Sequence, residues 1–209
     1  MSNAAPSLEV RNLSCIRGDT LLFDALEFQL NRGQAILIEG ANGAGKTSLL
    51  RILGGITLPS EGEVLWRRRP IAEVRSEFNE EMAYLGHQLG FKMELTGLEN
   101  LIFSLKLRGL KVDSDLAHQT MMDLGLQAQS ELPVMAFSAG QRQRLALARV
   151  LLQRALLWVL DEPLTALDNA GVQQVFNAMQ VHLEQGGLIV LTSHQPITTL
   201  SNLTRLRLS

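Results

Sequence analysis

Apolar residues in this chain collect in short unbroken runs more than in long alternations. Ala35-Ile36-Leu37-Ile38, Leu156-Leu157-Trp158-Val159-Leu160 and Leu188-Ile189-Val190-Leu191 are each of strand length. Such runs predict strands buried on both faces, as in a parallel sheet. Met82 to Leu85 predicts a fourth short strand and Thr204 to Leu208 a last one. Near the N-terminus the pattern loosens: Leu8 to Cys15 and Leu26 to Leu30 read as strands, the latter followed by an Asn31-Arg32-Gly33 turn. Gly54-Gly55 and Pro59-Ser60-Glu61-Gly62 are turn signals ahead of a strand from Glu63 to Trp66.

Helical patterns fall between the runs. Ser48 to Leu53 opens one helix, and Thr96-Gly97-Leu98-Glu99 is a capping box for another reaching about Leu107. Leu116 to Leu124 carries a further helical period. Ser138 and Gln141 form a second capping box, for a helix to about Gln153, and Asp168 caps a helix that Gly186-Gly187 closes. The stretch from about 89 to 135 is mostly helical between strand-rich flanks, which predicts a helical subdomain inserted in an α/β core. No repeat or linker is visible, so residues 1–209 are expected to form one domain.

Strands joined through helices place their functional ends at the carboxyl edge of the sheet. One of those ends is Gly40-Ala41-Asn42-Gly43-Ala44-Gly45-Lys46-Thr47, followed by Ser48. It fits the phosphate-loop pattern at every fixed position and lies between a predicted strand and a predicted helix. Its glycines let successive N–H groups converge on an anion at a helix N-terminus. Lys46 supplies a charge for the outer phosphates of ATP, and the Thr47 hydroxyl can ligate Mg²⁺.

Asp161 and Glu162 end another strand. Adjacent carboxylates there are costly to bury without a cation, and Mg²⁺·ATP supplies one. Asp161 is expected to hold the metal and Glu162, pointing the other way, to act as general base on water. His194, at a neighbouring strand end, is placed to orient the same water. His87, His118 and His182 read as structural or surface residues. The Ser138 helix precedes a parallel strand and runs antiparallel to it, so its N-terminus, Ser138-Ala139-Gly140-Gln141, lies at the same edge. One nucleotide needs one cradle; the second is economically used on a nucleotide held by another copy, head to tail.

Composition narrows the classes. With 209 residues, 46% of them hydrophobic, the chain is long enough for one α/β domain. A net charge of −2 offers no basic field to a polynucleotide, and Arg67-Arg68-Arg69 before Pro70 reads as a solvated hairpin tip. The lone Cys15 can form no internal disulfide. No apolar run is long enough to span a membrane, and Met1 to Ser7 has none of the features of a signal peptide.

The phosphate loop, Gln88, Phe137-Ser138-Ala139-Gly140-Gln141, Leu157 to Pro163, Thr165-Ala166-Leu167-Asp168 and His194 follow the order and spacing of ABC transporter ATPase domains, which the chain resembles over nearly its whole length. The resemblance implies a P-loop NTPase fold with a RecA-like parallel-sheet core, an N-terminal antiparallel β subdomain and the inserted helical subdomain. It implies that Ser138 and Gly140 bind the γ-phosphate of the opposite subunit's ATP, that Gln88 senses the metal site and that Asp168 communicates across the dimer. It also implies that the helical subdomain receives a helix from an integral-membrane permease partner.

The signature departs from Leu-Ser-Gly-Gly-Gln. Ala139 in place of glycine costs little if its φ is negative. The usual adenine-stacking aromatic is missing, and Arg17 stands about where it should be. Within the family, Gly86-His87-Gln88-Leu89-Gly90-Phe91-Lys92, Thr96 to Leu101 and Thr192-Ser193-His194-Gln195-Pro196 resemble the ATPases of the bacterial cytochrome c maturation (haem exporter) system. That implies Ccm-type membrane partners at the cytoplasmic face of the inner membrane. No Cys-x-x-Cys-His haem attachment motif is present. The alternatives are another small exporter, for lipoprotein release or drug efflux; a soluble ABC ATPase on DNA or ribosomes, which would need a coiled-coil insertion or tandem domains; and a non-hydrolysing subunit, which the full set Lys46, Asp161, Glu162 and His194 opposes.

Overall fold

Successive residues of a strand face opposite ways, so each unbroken apolar run serves two cores. Leu157 and Val159 join Ile36, Ile38, Leu188 and Val190 on one face of the sheet, while Trp158 and Leu160 join Ala35, Leu37, Ile189 and Leu191 on the other. The computed structural model describes residues 7–197 and 200–208. The expectation that residues 1–6 contain no targeting signal lies outside the described residues.

Five parallel strands form the central sheet in the order β6-β7-β8-β3-β9. These are β3 (Ala35–Glu39), β6 (Met82–Leu85), β7 (Leu157–Leu160), β8 (Leu188–Thr192) and β9 (Leu203–Arg207). A second, antiparallel sheet has the order β2-β1-β4-β5, from β1 (Leu8–Arg17), β2 (Thr20–Leu30), β4 (Glu61–Trp66) and β5 (Arg69–Pro70). Helix α1 (Lys46–Leu53) lies between the two sheets, burying Leu49, Leu50, Ile52 and Leu53. On the other face pack α3 (Gly97–Leu107), α4 (Ser114–Asp123), α5 (Ala139–Gln153) and α6 (Asn169–Glu184). This is the expected parallel core with an N-terminal antiparallel sheet.

The predicted caps form. Thr96 with Glu99, and Ser138 with Gln141, make reciprocal capping boxes, and Asp168 accepts from the Gly171 N–H. Two elements differ from expectation. Strand β2 begins at Thr20 rather than Leu26, because its alternation is interrupted around Asp24 and Ala25, where Ala25 has φ 46° and the β1 register shifts. Helix α2 (Arg75–Glu81) was not legible: its one buried residue, Phe78, gives no period, and it is anchored by an edge-on contact with Trp66 at 5.5 Å. The three arginines lie at the hairpin between β4 and β5, with Arg67 paired to Glu81 and Arg69 near Glu77.

His182 of α6 is structural, as expected: its ring stacks on Trp158 with centroids 3.9 Å apart, and Nε2 lies 3.2 Å from the Leu156 carbonyl oxygen. Gly187 packs against this ring, where a Cβ would come within 2.2 Å of Nε2. Burial holds the His182 pKa below 6.5, against two backbone hydrogen bonds that raise it. The folded imidazole therefore resists a proton that the unfolded one accepts, so stability is full above the unfolded pKa and falls as pH drops below it. Denaturant unfolding should show a loss of stability as pH falls below about 6.5 that His182→Phe, which keeps the stack, partly removes.

Candidate functional site

Four of the parallel strands deliver their ends to one edge: β3 leads into the phosphate loop, β6 into Gly86-His87-Gln88, β7 into Asp161-Glu162 and β8 into Thr192-Ser193-His194. Between them lies an open cleft of about 490 Å³. Its lining includes Lys46, Thr47, His87, Asp161, Glu162 and His194.

The phosphate loop curls through left-handed backbone at Gly43 (φ 86°) and Gly45 (φ 92°). Gly45 is also closed in from behind, since a Cβ there would meet the Leu22 Cβ at 2.9 Å. Helix α1 starts immediately after it with no side-chain cap and no acidic residue in its first turn. The first N–H groups of a helix have no intrahelical acceptor, so this end offers donors and a positive dipole to an anion in the cleft. The Lys46 ammonium donates to the carbonyls of Gly40 (2.7 Å) and Ala41 (3.0 Å), which holds it across the loop.

The two carboxylates are held differently. Asp161 is 5% exposed and accepts one hydrogen bond on each oxygen: Thr47 Oγ1 donates to Oδ2 at 2.9 Å and Thr192 Oγ1 donates to Oδ1 at 2.8 Å. Glu162 has φ 52°, a left-handed conformation unusual for a residue with a side chain. Its N–H donates to Thr192 Oγ1 at 3.0 Å, and its Oε2 accepts from the His194 backbone N–H at 2.9 Å. Its Oε1 is buried without a hydrogen-bond partner and lies 3.6 Å from His194 Nε2. Behind Asp161, the Tyr84 phenol is pushed up to about 12, first by burial and then by Asp161, with Arg51 opposing. It therefore stays neutral beside the carboxylate.

The other expected residues stand apart from the cleft. Ser138 and Ala139 are exposed, and Ser138 Oγ accepts from the Gln141 N–H at 3.2 Å while its own proton stays free. Ala139 opens α5 with helical backbone, so the residue costs nothing there that glycine would spare. Gly140 is required for a different reason: a Cβ would come within 2.6 Å of the Ala166 carbonyl oxygen. Asp168 caps α6 and pairs with Arg144 at 2.5 Å, which together hold its carboxyl below the usual range, the Gly171 N–H contributing most. Arg17 is exposed at the end of β1, and the wall of the cleft on that side is Leu22.

At the end of β6 the structure changes the reading. His87, read from the sequence as structural or surface, lines the cleft, whereas Gln88 is exposed and not part of the lining. Thr192 was missed altogether. A threonine ending an apolar run carries no signal of its own; its neighbour His194 pointed to the right strand end, but only the register of β7 against β8 shows which hydroxyl reaches Asp161.

The oxygen donors Thr47 and Asp161 suit a hard cation such as Mg²⁺, which is normally held by one or two protein oxygens with waters and phosphate completing the shell. Among the described residues no cluster of three or more His, Cys, Asp or Glu could hold a metal unaided. The fit is therefore to a metal that arrives with a phosphate.

The family model described as ABC transporter matches residues 23–165. The chain is similar to the cytochrome c biogenesis ATP-binding export protein CcmA of Nitrosomonas europaea, with 44% identity over 91% of this chain and 89% of that protein. To the protein of the same name from Methylococcus capsulatus it is 46% identical over 94% and 95%. Among solved structures, a bacterial ABC transporter cassette in dimeric form superposes with a TM-score of 0.83 at 21% identity, covering 96% of this chain and 94% of that one, a likeness of fold.

Thr192→Val keeps the shape and removes both hydroxyl bonds. It should lower the unfolding free energy by about 2 kcal/mol, because the Glu162 N–H and Asp161 each lose a buried partner. ATP turnover should fall more than ATP affinity, as measured by steady-state hydrolysis and nucleotide titration.

Proposed function

Because the chain belongs to the ABC transporter family, and within it to the cytochrome c biogenesis ATP-binding export proteins, we propose that it binds ATP in this cleft and hydrolyses it to drive separate membrane subunits. The observation that carries the hydrolytic reading is Glu162 Oε1, a buried carboxylate oxygen with no hydrogen-bond partner, on a residue that lines the cleft together with the phosphate loop. Such an oxygen is costly unless something donates to it, and a water on its way to the γ-phosphorus is that donor.

The α1 N-terminus and the loop N–H groups take the phosphate oxygens, and Lys46 turns from the loop carbonyls to the outer phosphates. Thr47 and Asp161 would hold Mg²⁺, which would supply charge neutralisation on the triphosphate. Glu162 accepts the proton of the attacking water as the new P–O bond forms and the bond to ADP breaks. The His194 backbone N–H donates to Glu162 Oε2 and holds that carboxylate, while its ring reaches the γ-phosphate. Gln88 and His87 come from the end of β6. The base would rest on Leu22, and Arg17, exposed at the end of β1, would have to turn toward the cleft to stack on it in place of an aromatic ring.

The exposed end of α5, with free Ser138 hydroxyl and uncapped N–H groups of Ala139 and Gly140, is suited to close over ATP held by a second copy, with Asp168 beside it. A solved bacterial ABC transporter cassette of the same fold is described as dimeric. The segment of about 89–135 is the inserted helical subdomain and takes the contact from the membrane partner, a Ccm-type permease at the cytoplasmic face of the inner membrane. Haem is the cargo this assignment carries. Among the described residues no helix is long and apolar enough to cross a membrane, which fits attachment through partners.

Glu162→Gln should bind ATP with near-native affinity and lose hydrolysis by about a thousandfold. Wild-type turnover in that variant would refute the general-base role. Purification from membranes with the attached subunits identified by mass tests the transporter. Recovery of a lipoprotein-release or drug-efflux permease would refute the cytochrome c assignment.

A further inference from the structure

Gln88 is exposed and makes no hydrogen bond among the described residues, so its position is set by the chain around it. That chain is pinned at two points. On one side the buried Asn100 of α3 clamps Lys92, accepting from its N–H and donating to its carbonyl, both at 2.8 Å. On the other, Arg149 of α5 donates from Nη1 to the Leu89 carbonyl at 2.9 Å and lies over the Phe91 ring at 5.2 Å.

The Asn100 clamp is a neutral group fully used by local backbone. Arg149 is different in kind. Its guanidinium is largely enclosed, and burial, with Arg108 nearby, pushes its pKa down from the ordinary arginine value. No carboxylate pairs with it among the described residues; a carbonyl and an aromatic face are its partners. A desolvated cation without a counter-charge is an expensive way to fill space, since a leucine would pack there at less cost. What it supplies is a rigid planar group that fixes both the backbone and a side chain of the loop.

Helix α5 also begins at Ser138, eleven residues and about 16 Å from Arg149 at the ordinary helical rise. In between, Gln143 donates to the Pro163 carbonyl at 3.0 Å, and Arg144 donates to Asp168 and to the Leu124 carbonyl. One rigid element therefore carries the end offered to a second copy and side chains that hold the chain's own site loops.

We propose that Arg149 is a positioning residue for hydrolysis, holding the Gln88 loop in register with the Ser138 end of its own helix. A shift of α5 when Ser138 engages the other copy's nucleotide is thereby delivered to Gln88. This rests on the assignment of Gln88 to the reaction.

The test is a double-mutant cycle on ATP hydrolysis by the chain assembled with its membrane subunits. Arg149→Gln should lower kcat about tenfold with KM for ATP within about twofold, and Arg149→Lys should recover at least about threefold of that loss. In a Gln88→Ala background Arg149→Gln should add less than about twofold. If Gln88→Ala is impaired and the two losses multiply in full, or if KM rises instead of kcat falling, Arg149 does not act through Gln88. If Gln88→Ala alone leaves kcat unchanged, the role of Gln88 is wrong and the proposal falls with it. Should Arg149→Gln fail to fold, Arg149→Lys carries the same comparison, with a smaller loss that must likewise vanish in the Gln88→Ala background.

Discussion

The site hangs on one chain of hydrogen bonds across three neighbouring segments. The Glu162 N–H donates to Thr192 Oγ1, Thr192 donates to Asp161 Oδ1, and Thr47 donates to Asp161 Oδ2. This chain crosses from β7 to β8 and on to the head of α1, so it exists only while the sheet holds its register. It also explains why Glu162 can sit in left-handed backbone. The unfavourable φ is offset by a buried N–H that finds an acceptor and a carboxylate oxygen that finds the His194 N–H. The result is a division between adjacent acids: both oxygens of Asp161 accept from protein hydroxyls, whereas Glu162 keeps one oxygen without a hydrogen-bond partner.

The same economy governs the outside of the cleft. The nucleotide loop is tethered to β2 through the close approach of Gly45 to Leu22, and to the residue just after β9 through that of Gly40 to the Leu208 carbonyl. The Ser138 end of α5 instead stands free in solvent, tied to the rest through Gly140's contact with Ala166 and through the polar side chains of its own helix.

Much of this was legible in advance because it depends on local rules. The unbroken apolar runs read as buried strands; the glycines, lysine and threonine at fixed spacing read as a phosphate loop; Ser138 with Gln141, and Thr96 with Glu99, read as helix caps. Helix α2 escaped because Phe78 is its one buried side chain, and a period needs at least two. The early start of β2 escaped because the irregularity around Ala25 breaks alternation, which is the signal for a strand.

By itself, then, the chain's local chemistry determined the strand ends, the anion cradle, the carboxylates and the signature cap, since each is specified by residues within a few positions of one another. Only the tertiary structure decided that His87 rather than Gln88 lines the cleft, that Thr192 joins Asp161 to Glu162, and that Arg149 grips the loop sixty residues before it. Those relations depend on strand register and helix packing between distant segments. A threonine at the end of an apolar run, or an arginine in a helix, looks the same in sequence whether or not a partner waits across the sheet.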